Sequence, residues 1–259
     1  MTQKIAVVGA TGRVGRHVVD VVRERGFDAV PIARSLGVDV IAGEGLDAAL
    51  EGVTCVVDAA TGPSPVEAEA TAFFTTAAAN LASAAARAGV SRVVVVSIIG
   101  IDKFSAGYNA AKLAHERAWL AHPVDVRVLR AAQFHEFVGQ LLQWGRRGDV
   151  AYLPAMRTQL VAARSVAEAL VDLALDDAPA GGPIWEVAGP REERLVEMGR
   201  LLAARDGDPI RIEEGADPSD PSDPSDPDAP LYTTDALLPG PQARLAGPTY
   251  ADWLAQPGG

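Results

Sequence analysis

The feature that most constrains the fold is a glycine turn directly after the first apolar run of the chain. Residues 5–8 lead into Gly9-Ala10-Thr11-Gly12-Arg13-Val14-Gly15, with a glycine at every third position. Glycine lets the backbone approach a diphosphate closely, and the free N–H groups at the start of the next helix attract its charge. This strand, turn and helix predict a dinucleotide site held by Gly9, Thr11, Gly12, Arg13, Val14 and Gly15.

Short apolar runs alternate with segments of helical period as far as about residue 130, which is typical of repeated βαβ units. We predict strands at 4–8, 28–32, 54–59, 92–97 and 125–130, and helices at 13–25, 46–51, 65–88 and 106–121. The run Val93–Val96 is apolar throughout, as expected for a strand that helices cover on both faces. The pattern therefore predicts an α/β fold with a Rossmann-like, doubly wound parallel sheet.

The periodic signal weakens after Arg130. We predict a cofactor-binding core at 1–130, followed by a small C-terminal region at 131–259 that mainly binds substrate and crosses back to the core. In that region the sequence favours a strand at 160–163, Ser165 as the N-cap of a helix at 166–175, a strand at 184–188 and a helix at 192–204. Repeated Asp-Pro-Ser units predict a solvated, mobile loop at 217–230, because prolines and like charges do not build a packed core.

The end of the second predicted strand indicates which dinucleotide the chain prefers. An acidic residue at that place usually accepts hydrogen bonds from the ribose hydroxyls of NAD. Here the strand ends in Arg34 and Ser35, which suit a 2′-phosphate, and Arg13 could reach the same side. We therefore predict NADP(H) as the cofactor. The end of the third strand is predicted to line the same cofactor with Asp58, Ala59 and Ala60.

Three side chains after the fourth predicted strand suggest acid–base chemistry. Ser97 stands at the carboxyl end of that strand, and Tyr108 and Lys112 share one face of the next helix at i and i+4. A phenol is a poor acid–base catalyst at neutral pH unless a nearby cation lowers its pKa. Lysine supplies such a cation and can also hold a nicotinamide ribose. We predict that Ser97, Tyr108 and Lys112 are catalytic.

These motifs resemble the short-chain dehydrogenase/reductase superfamily, and the chain as a whole resembles its atypical, NmrA-like NAD(P)H-binding branch. Further matches are the segments 43–46, 88–90, 129–137 and 187–190. The resemblance implies a Rossmann domain, NADP binding and reduction of a carbonyl or conjugated substrate. Some NmrA-like members bind dinucleotide only as sensors, so a non-catalytic redox sensor is one alternative. An epimerase or isomerase that uses bound cofactor is another.

The segment after the fifth predicted strand is expected to reach the substrate. We predict substrate contacts from Gln133, Phe134 and His135, because ligands in such sheets bind at the carboxyl ends of the strands. The remaining histidines, His17, His115 and His122, lie on helices without ligand spacing, and the chain has no Cys or His cluster. No metal site is therefore predicted.

The net charge and the cysteine content restrict which partners and which cellular compartment are expected. The chain carries 34 acidic and 23 basic residues, a net charge of −11, which is the wrong sign for gripping nucleic acid or an anionic membrane. The single cysteine, Cys55, excludes an intrachain disulfide and permits a reduced compartment. With no signal-peptide pattern and no long apolar run, a cytoplasmic protein with a small-molecule substrate is expected. The sequence leaves the oligomeric state open.

Overall fold

The computed structural model describes residues 3–177, 181–215 and 227–256. The strands are β1 (Lys4–Val8), β2 (Asp28–Ile32), β3 (Val53–Asp58), β4 (Arg92–Ile98), β5 (Asp125–Ala131), β6 (Arg146–Arg147), β7 (Val150–Leu153), β8 (Arg157–Thr158), β9 (Ile184–Ala188), β10 (Glu193–Arg194), β11 (Arg211–Glu214) and β12 (Arg244–Leu245). The α-helices are α1 (Gly15–Glu24), α2 (Leu46–Ala49), α3 (Glu67–Ala88), α4 (Gly107–Leu120), α5 (Phe137–Trp144), α6 (Ala163–Leu175), α7 (Leu195–Asp206) and α8 (Tyr250–Leu254).

The central sheet has seven strands in the order β12-β9-β5-β4-β3-β1-β2. Every neighbouring pair in it runs parallel. The chain winds outward from β1 in both directions, through β2 on one side and through β3 on the other. The carboxyl ends of β1 and β3 therefore flank the point where the strand order reverses, which is where ligands bind in such sheets. The predicted Rossmann-like parallel sheet is confirmed.

Two apolar layers enclose this sheet. Val94 and Val96 of β4 pack into the layer that contains α1 and α6. Val93 and Val95 pack into the opposite layer, with α3 and α4. The uninterrupted apolar run in β4 thus reflects burial of both faces. None of the helices in the described ranges combines the length and the apolar character needed to cross a membrane.

The C-terminal half of the chain crosses back to the sheet, since α6, β9 and β12 all pack on it or extend it. The prediction of Ser165 as N-cap is wrong, because α6 begins at Ala163 and includes Ser165. Both carboxylate oxygens of Glu136 accept the Ala163 N–H at 3.2 Å and do the capping instead. The predicted strand at 160–163 is reduced to a single bridge between Phe134 and Val161, since the chain turns directly into α6.

A smaller region is built from α5, α7 and α8 around a three-stranded sheet in the order β11-β7-β6. It encloses a separate apolar core. Of the predicted mobile loop at 217–230, residues 217–226 lie outside the described ranges. In the described end of that loop, Pro227, Ala229 and Pro230 are exposed, whereas Asp228 is buried and its carboxylate accepts the Ser105 and Ala106 N–H groups at 2.6 and 2.8 Å. These contacts hold the chain just before α4.

Candidate functional site

The glycine turn is built by close backbone packing. Gly9 has φ +72°, and a Cβ there would lie 2.6 Å from the Ala59 carbonyl oxygen. A Cβ on Gly15 would lie 2.1 Å from the Gly9 carbonyl oxygen, so α1 can start against the turn only with glycine in that position. Within the described residues, no side chain caps α1, and its first turn carries no acidic residue. The N-terminus of α1 therefore fits the diphosphate of a dinucleotide.

The residues predicted to choose the cofactor occupy two places. Arg34 and Ser35 are exposed on a short 3₁₀ helix directly after β2. The Arg34 guanidinium has no hydrogen-bond or ion-pair partner among the described side chains. Arg13 instead donates to Gln140 Oε1 of α5 at 2.9 Å. Arg34 is therefore the guanidinium available beside the second strand, whereas Arg13 would first have to leave α5.

Asp58, at the end of β3, belongs to a buried polar chain. The Asp58 side chain is 0% exposed, and its Oδ1 accepts the Ala60 N–H at 3.0 Å. Asp58 Oδ2 lies 3.1 Å from His115 Nε2 and accepts the Trp119 Nε1–H at 2.9 Å. The carboxylate is thus fully engaged by the protein. Direct contact with a cofactor, as predicted for Asp58, would require this chain to open.

Lys112 lies at the other end of this row of buried polar side chains. Its Nζ donates to the Val96 carbonyl at 2.9 Å and lies 3.1 Å from His115 Nδ1. An ammonium group only donates, so Nδ1 must accept from it and the proton of the neutral ring sits on Nε2. That Nε2–H then donates to Asp58. These two hydrogen bonds of His115 join three side chains, Asp58, His115 and Lys112. We call this group of three the α4 polar chain.

Along the α4 polar chain, burial and the neighbouring charged groups shift the pKa values in opposite directions. Burial lowers the pKa of Lys112 to about 8, although Asp58 and Glu116 both raise it. For His115, burial and the charge of Lys112 outweigh Asp58 and hold the pKa below its ordinary value. Burial alone would raise the pKa of Asp58, but His115, Ala60 and Lys112 together hold it below its ordinary value. At neutral pH the α4 polar chain therefore consists of the Asp58 carboxylate, the neutral His115 imidazole and the Lys112 ammonium group.

Phe74 of α3 joins this chain to Tyr108. The Phe74 ring stacks on His115 at 4.7 Å between centroids, lies 4.6 Å from Lys112 Nζ, and meets the Tyr108 ring edge-on at 5.8 Å. Burial raises the pKa of Tyr108, with Thr61 opposing. The expectation that Lys112 lowers the pKa of Tyr108 is therefore wrong for the free protein, because the ammonium group is bound to Val96 and His115. The Tyr108 phenol stays protonated.

Ser97 occupies the carboxyl end of β4, as predicted. It is buried on the face of the sheet that α4 covers, and its Oγ has no hydrogen-bond partner among the described residues. Lys112 is bound to the carbonyl of the preceding residue, Val96, which brings this face of α4 against the end of β4. An unpaired buried hydroxyl is costly, so Ser97 Oγ is a group that a ligand could satisfy.

His135, one of the predicted substrate residues, lies in the smaller region. It is 1% exposed and lines a cavity of about 400 Å³ between α5, α7 and α8. Its Nε2 contacts the Leu160 carbonyl at 3.1 Å, while its Nδ1 and the nearby Tyr250 Oη have no hydrogen-bond partner in the part of the chain that the structure describes. Burial lowers the pKa of His135 to about 4, so the ring is neutral near pH 7.

The other two predicted substrate residues contact β8 and the loop that follows it. The Gln133 side chain accepts the Thr158 hydroxyl, and Phe134 forms the bridge with Val161. Both residues therefore contact the segment 158–161. Gln133 and Phe134 nevertheless remain partly exposed.

His115, Phe74 and Trp119 are the residues that sequence reasoning missed. The signal was present in α4, since positions 108, 112, 115 and 119 recur every three or four residues and share one face. The helical spacing predicts a role for Tyr108 and Lys112, but His115, which lacks ligand spacing, receives no predicted role. The described part of the chain contains no group of three or more His, Cys, Asp or Glu side chains placed to bind a metal.

Comparisons with known proteins agree with this geometry. A family model described as NAD(P)H-binding matches residues 9–177. No curated protein matches the chain in sequence. Solved structures share its fold at low identity, so they support the architecture alone.

The UDP-N-acetylglucosamine 4-epimerase from Bacillus cereus is 18% identical with a TM-score of 0.65, over 83% of this chain and 86% of that chain. The Thermus thermophilus UDP-glucose 4-epimerase, in complex with NAD, is 17% identical with a TM-score of 0.66, over 84% and 88%. A dTDP-4-dehydrorhamnose reductase from Clostridium acetobutylicum is 15% identical with a TM-score of 0.65, over 83% and 84%.

Proposed function

We propose an NADP(H)-dependent oxidoreductase activity for this chain, which belongs to the NAD(P)H-binding family whose model matches residues 9–177. The substrate is a small organic molecule with a carbonyl or a conjugated double bond. A bound nicotinamide cofactor would supply the hydride. The protein's own residues bind that cofactor, orient the substrate and deliver the proton.

The observation that carries this proposal is the arrangement at the end of β4. The face of α4 that bears Tyr108 and Lys112 packs there, next to the unpaired hydroxyl of Ser97. Ser97 Oγ–H donates to the substrate oxygen, which gives this buried hydroxyl its missing partner. Tyr108 is the proton donor, and its raised pKa keeps the phenol protonated for that role. The Lys112 ammonium holds positive charge beside the ribose.

Replacement of Tyr108 tests the activity. Purified protein is mixed with NADPH and a panel of ketones, quinones and enones, and loss of the reduced nicotinamide absorbance is followed. Tyr108→Phe should leave NADPH affinity nearly intact and lower turnover about 100-fold or more. Tyr152→Phe, on β7, is the matched control and should keep full turnover. Unchanged turnover in Tyr108→Phe would remove Tyr108 from the mechanism.

Arg34 is proposed to set the preference for NADP(H). A charge-assisted contact with the 2′-phosphate contributes about 1.5–3 kcal/mol, so Arg34→Ala should weaken NADPH binding about 10- to 150-fold and leave NADH binding nearly unchanged. Arg23→Ala, an exposed arginine on α1, is the control. A wild type that prefers NADH, or equal losses for both cofactors in Arg34→Ala, would contradict this assignment.

A second candidate is a protein that binds NADP(H) as a redox sensor without turnover. The observation that favours it is the engagement of Lys112, whose Nζ is bound to Val96 and His115 in the free protein. Micromolar NADPH binding without oxidation by any member of the panel would support the sensor. Net oxidation of NADPH would exclude both a pure sensor and a redox-neutral epimerase or isomerase.

A further inference from the structure

Lys112 carries its charge in a place where a lysine normally loses it. The side chain is 4% exposed, and its Nζ reaches two acceptors, the Val96 carbonyl and His115 Nδ1. Burial of an ammonium group favours the neutral amine unless nearby groups stabilise the charge. The carbonyl carries no net charge, so the stabilising charge has to come through the other acceptor.

We propose that His115 is a positioning residue that connects Asp58 to Lys112, and that the α4 polar chain thereby fixes both the place and the charge of the Lys112 ammonium group. His115 touches neither substrate nor cofactor in this arrangement and acts only through Lys112. The connection itself stands on the contacts of the free protein. Its effect on cofactor binding rests on the proposed function.

The hydrogen bonds of His115 run in one direction. Its Nε2–H donates to Asp58, which polarises the ring and makes Nδ1 a stronger acceptor for the ammonium protons. The negative and positive ends of the chain are separated by one neutral imidazole. The buried unit is therefore neutral overall, and this is what allows both charges to remain inside the protein.

Of the other ionisable groups near Lys112, Glu116 also raises the Lys112 pKa, but by less than Asp58 does. On α4, Glu116 faces Lys112, but both Glu116 oxygens accept from Arg130 of β5 at 2.8–2.9 Å. Arg130 is in turn paired with Asp102 at 2.7 Å. Tyr108 is a neutral phenol, and α3 presents only the Phe74 ring. Asp58 is thus the counterion of Lys112, and His115 is the group that joins them.

The low lysine content of the chain makes the connection measurable. Lys4, Lys103 and Lys112 are its only lysines, so a spectrum of protein labelled at the lysine side chains contains three signals. The signal missing from Lys112→Arg identifies Lys112. A pH titration followed by NMR then reports its protonation in the cofactor-free protein, with Lys4 and Lys103 as internal references.

In the wild type we expect the Lys112 pKa at about 8. Loss of a charge-assisted hydrogen bond in His115→Leu should lower this pKa by about 1–2. Asp58→Asn, which keeps the shape but removes the counterion, should lower it at least as far. His122→Gln, just beyond α4, should leave it unchanged.

Two conservative variants separate the halves of the connection. The side-chain oxygen of His115→Asn can take the place of Nδ1 and accept from Lys112, whereas the amide of His115→Gln can take the place of Nε2 and donate to Asp58. The Lys112 pKa should therefore be higher in His115→Asn than in His115→Leu, and the increase should be smaller in His115→Gln. A Lys112 pKa that is the same in wild type, His115→Asn and Asp58→Asn would overturn the proposal, even if His115→Leu fails to fold.

NADPH affinity measured across pH supplies the functional half of the test. Affinity should fall as pH rises through about 8 in the wild type, because the ammonium is lost there, and at a lower pH in His115→Asn and Asp58→Asn. If the Lys112 pKa moves as expected but affinity does not follow it, the connection stands and the proposed role of Lys112 at the cofactor fails. If neither moves, the connection itself is wrong.

Discussion

Two buried histidines show opposite arrangements within one chain. Both ring nitrogens of His115 have partners, and its ring stacks on Phe74 at 4.7 Å. Within residues 3–177, 181–215 and 227–256, His135 uses only Nε2, while its Nδ1 and the hydroxyl of neighbouring Tyr250 are unpaired beside a cavity of about 400 Å³. The first environment is complete without a ligand. The second leaves hydrogen-bonding capacity that the protein alone does not use.

This difference follows from what each histidine packs against. His115 lies between α3 and the central sheet, where Asp58 at the end of β3 supplies a charged acceptor. His135 lies between short helices of the smaller region, where Tyr250 and Trp253 present rings at 5.4 and 5.3 Å. Charged pairing therefore stabilises the first site, whereas the second is held by ring packing and one contact with a neutral carbonyl, that of Leu160. Breaking a contact should cost much in the first region and little in the second.

The largest effect is expected from removal of the counterion in the α4 polar chain. Asp58→Ala leaves the Lys112 ammonium buried without its charged partner, which should lower the free energy of unfolding by about 3–5 kcal/mol. Urea denaturation at neutral pH measures this loss. Asp47→Ala is the control, because its ion pair with Arg87 is largely exposed and should contribute less than about 1 kcal/mol. Equal losses in the two variants would contradict the assignment of Asp58 as a counterion.

His135 should make the protein less stable in acid. Its pKa is lowered to about 4 by burial, so between the ordinary histidine value and pH 4 the unfolded chain takes up a proton that the native ring refuses. Native stability should therefore fall as pH drops through this window, by at most about 3 kcal/mol, with no contribution above it.

His135→Gln removes this proton uptake. The difference between wild type and variant, taken from denaturation curves at a series of pH values, should shrink or reverse as pH falls from 7 toward 4. A difference that stays constant with pH would show that His135 does not titrate in this way. Because His115 is present in both proteins, its own titration cancels.

Trp119→Phe removes a side chain that donates a hydrogen bond to the Asp58 carboxylate. The indole Nε1–H is one of two side-chain donors to Asp58 Oδ2. Hydrogen bonds to charged groups contribute more than neutral ones, so loss of this donor should destabilise the protein by roughly 2 kcal/mol. Thermal and urea unfolding measure the change. A neutral result would mean that His115 and Ala60 alone satisfy the carboxylate.

The contrast between the two regions also marks what sequence can predict. Six of the seven strands of the central sheet follow from local apolar runs, whereas the exposed pair that forms β12 has no such signal. The turn at Gly9–Gly15 predicted both the first βα unit and the NAD(P)H-binding family. The α4 pair, Tyr108 and Lys112, follows from helical spacing. The partner of Lys112 does not, because Asp58 and His115 are 57 positions apart and meet only when α4 packs over β3.

The contacts of the smaller region are harder to predict from the sequence for a related reason. The direction in which His135 points is set by the chain leaving β5, by the Leu160 carbonyl and by α8, which begins at Tyr250. The first is local in sequence, but the contacts with Leu160 and α8 come from distant segments. The N-terminus of α6 is a further example, because its cap is Glu136 from another segment and not the nearby Ser165. Periodicity cannot show which distant side chain supplies such a contact.

The smallest effect is expected from Tyr250→Phe, the counterpart of Trp119→Phe in the His135 region. The ring is fully buried, but the hydroxyl has no partner, so its removal deletes no hydrogen bond and relieves the cost of an unpaired polar group. The free energy of unfolding should change by less than about 0.5 kcal/mol or increase slightly, since the phenyl ring keeps the apolar packing. Urea denaturation of Tyr250→Phe beside Trp119→Phe measures both regions under one condition. A loss for Tyr250→Phe as large as that for Trp119→Phe would show that the hydroxyl is paired in solution, with water or a bound molecule in the cavity, and the contrast between the two histidine environments would then disappear.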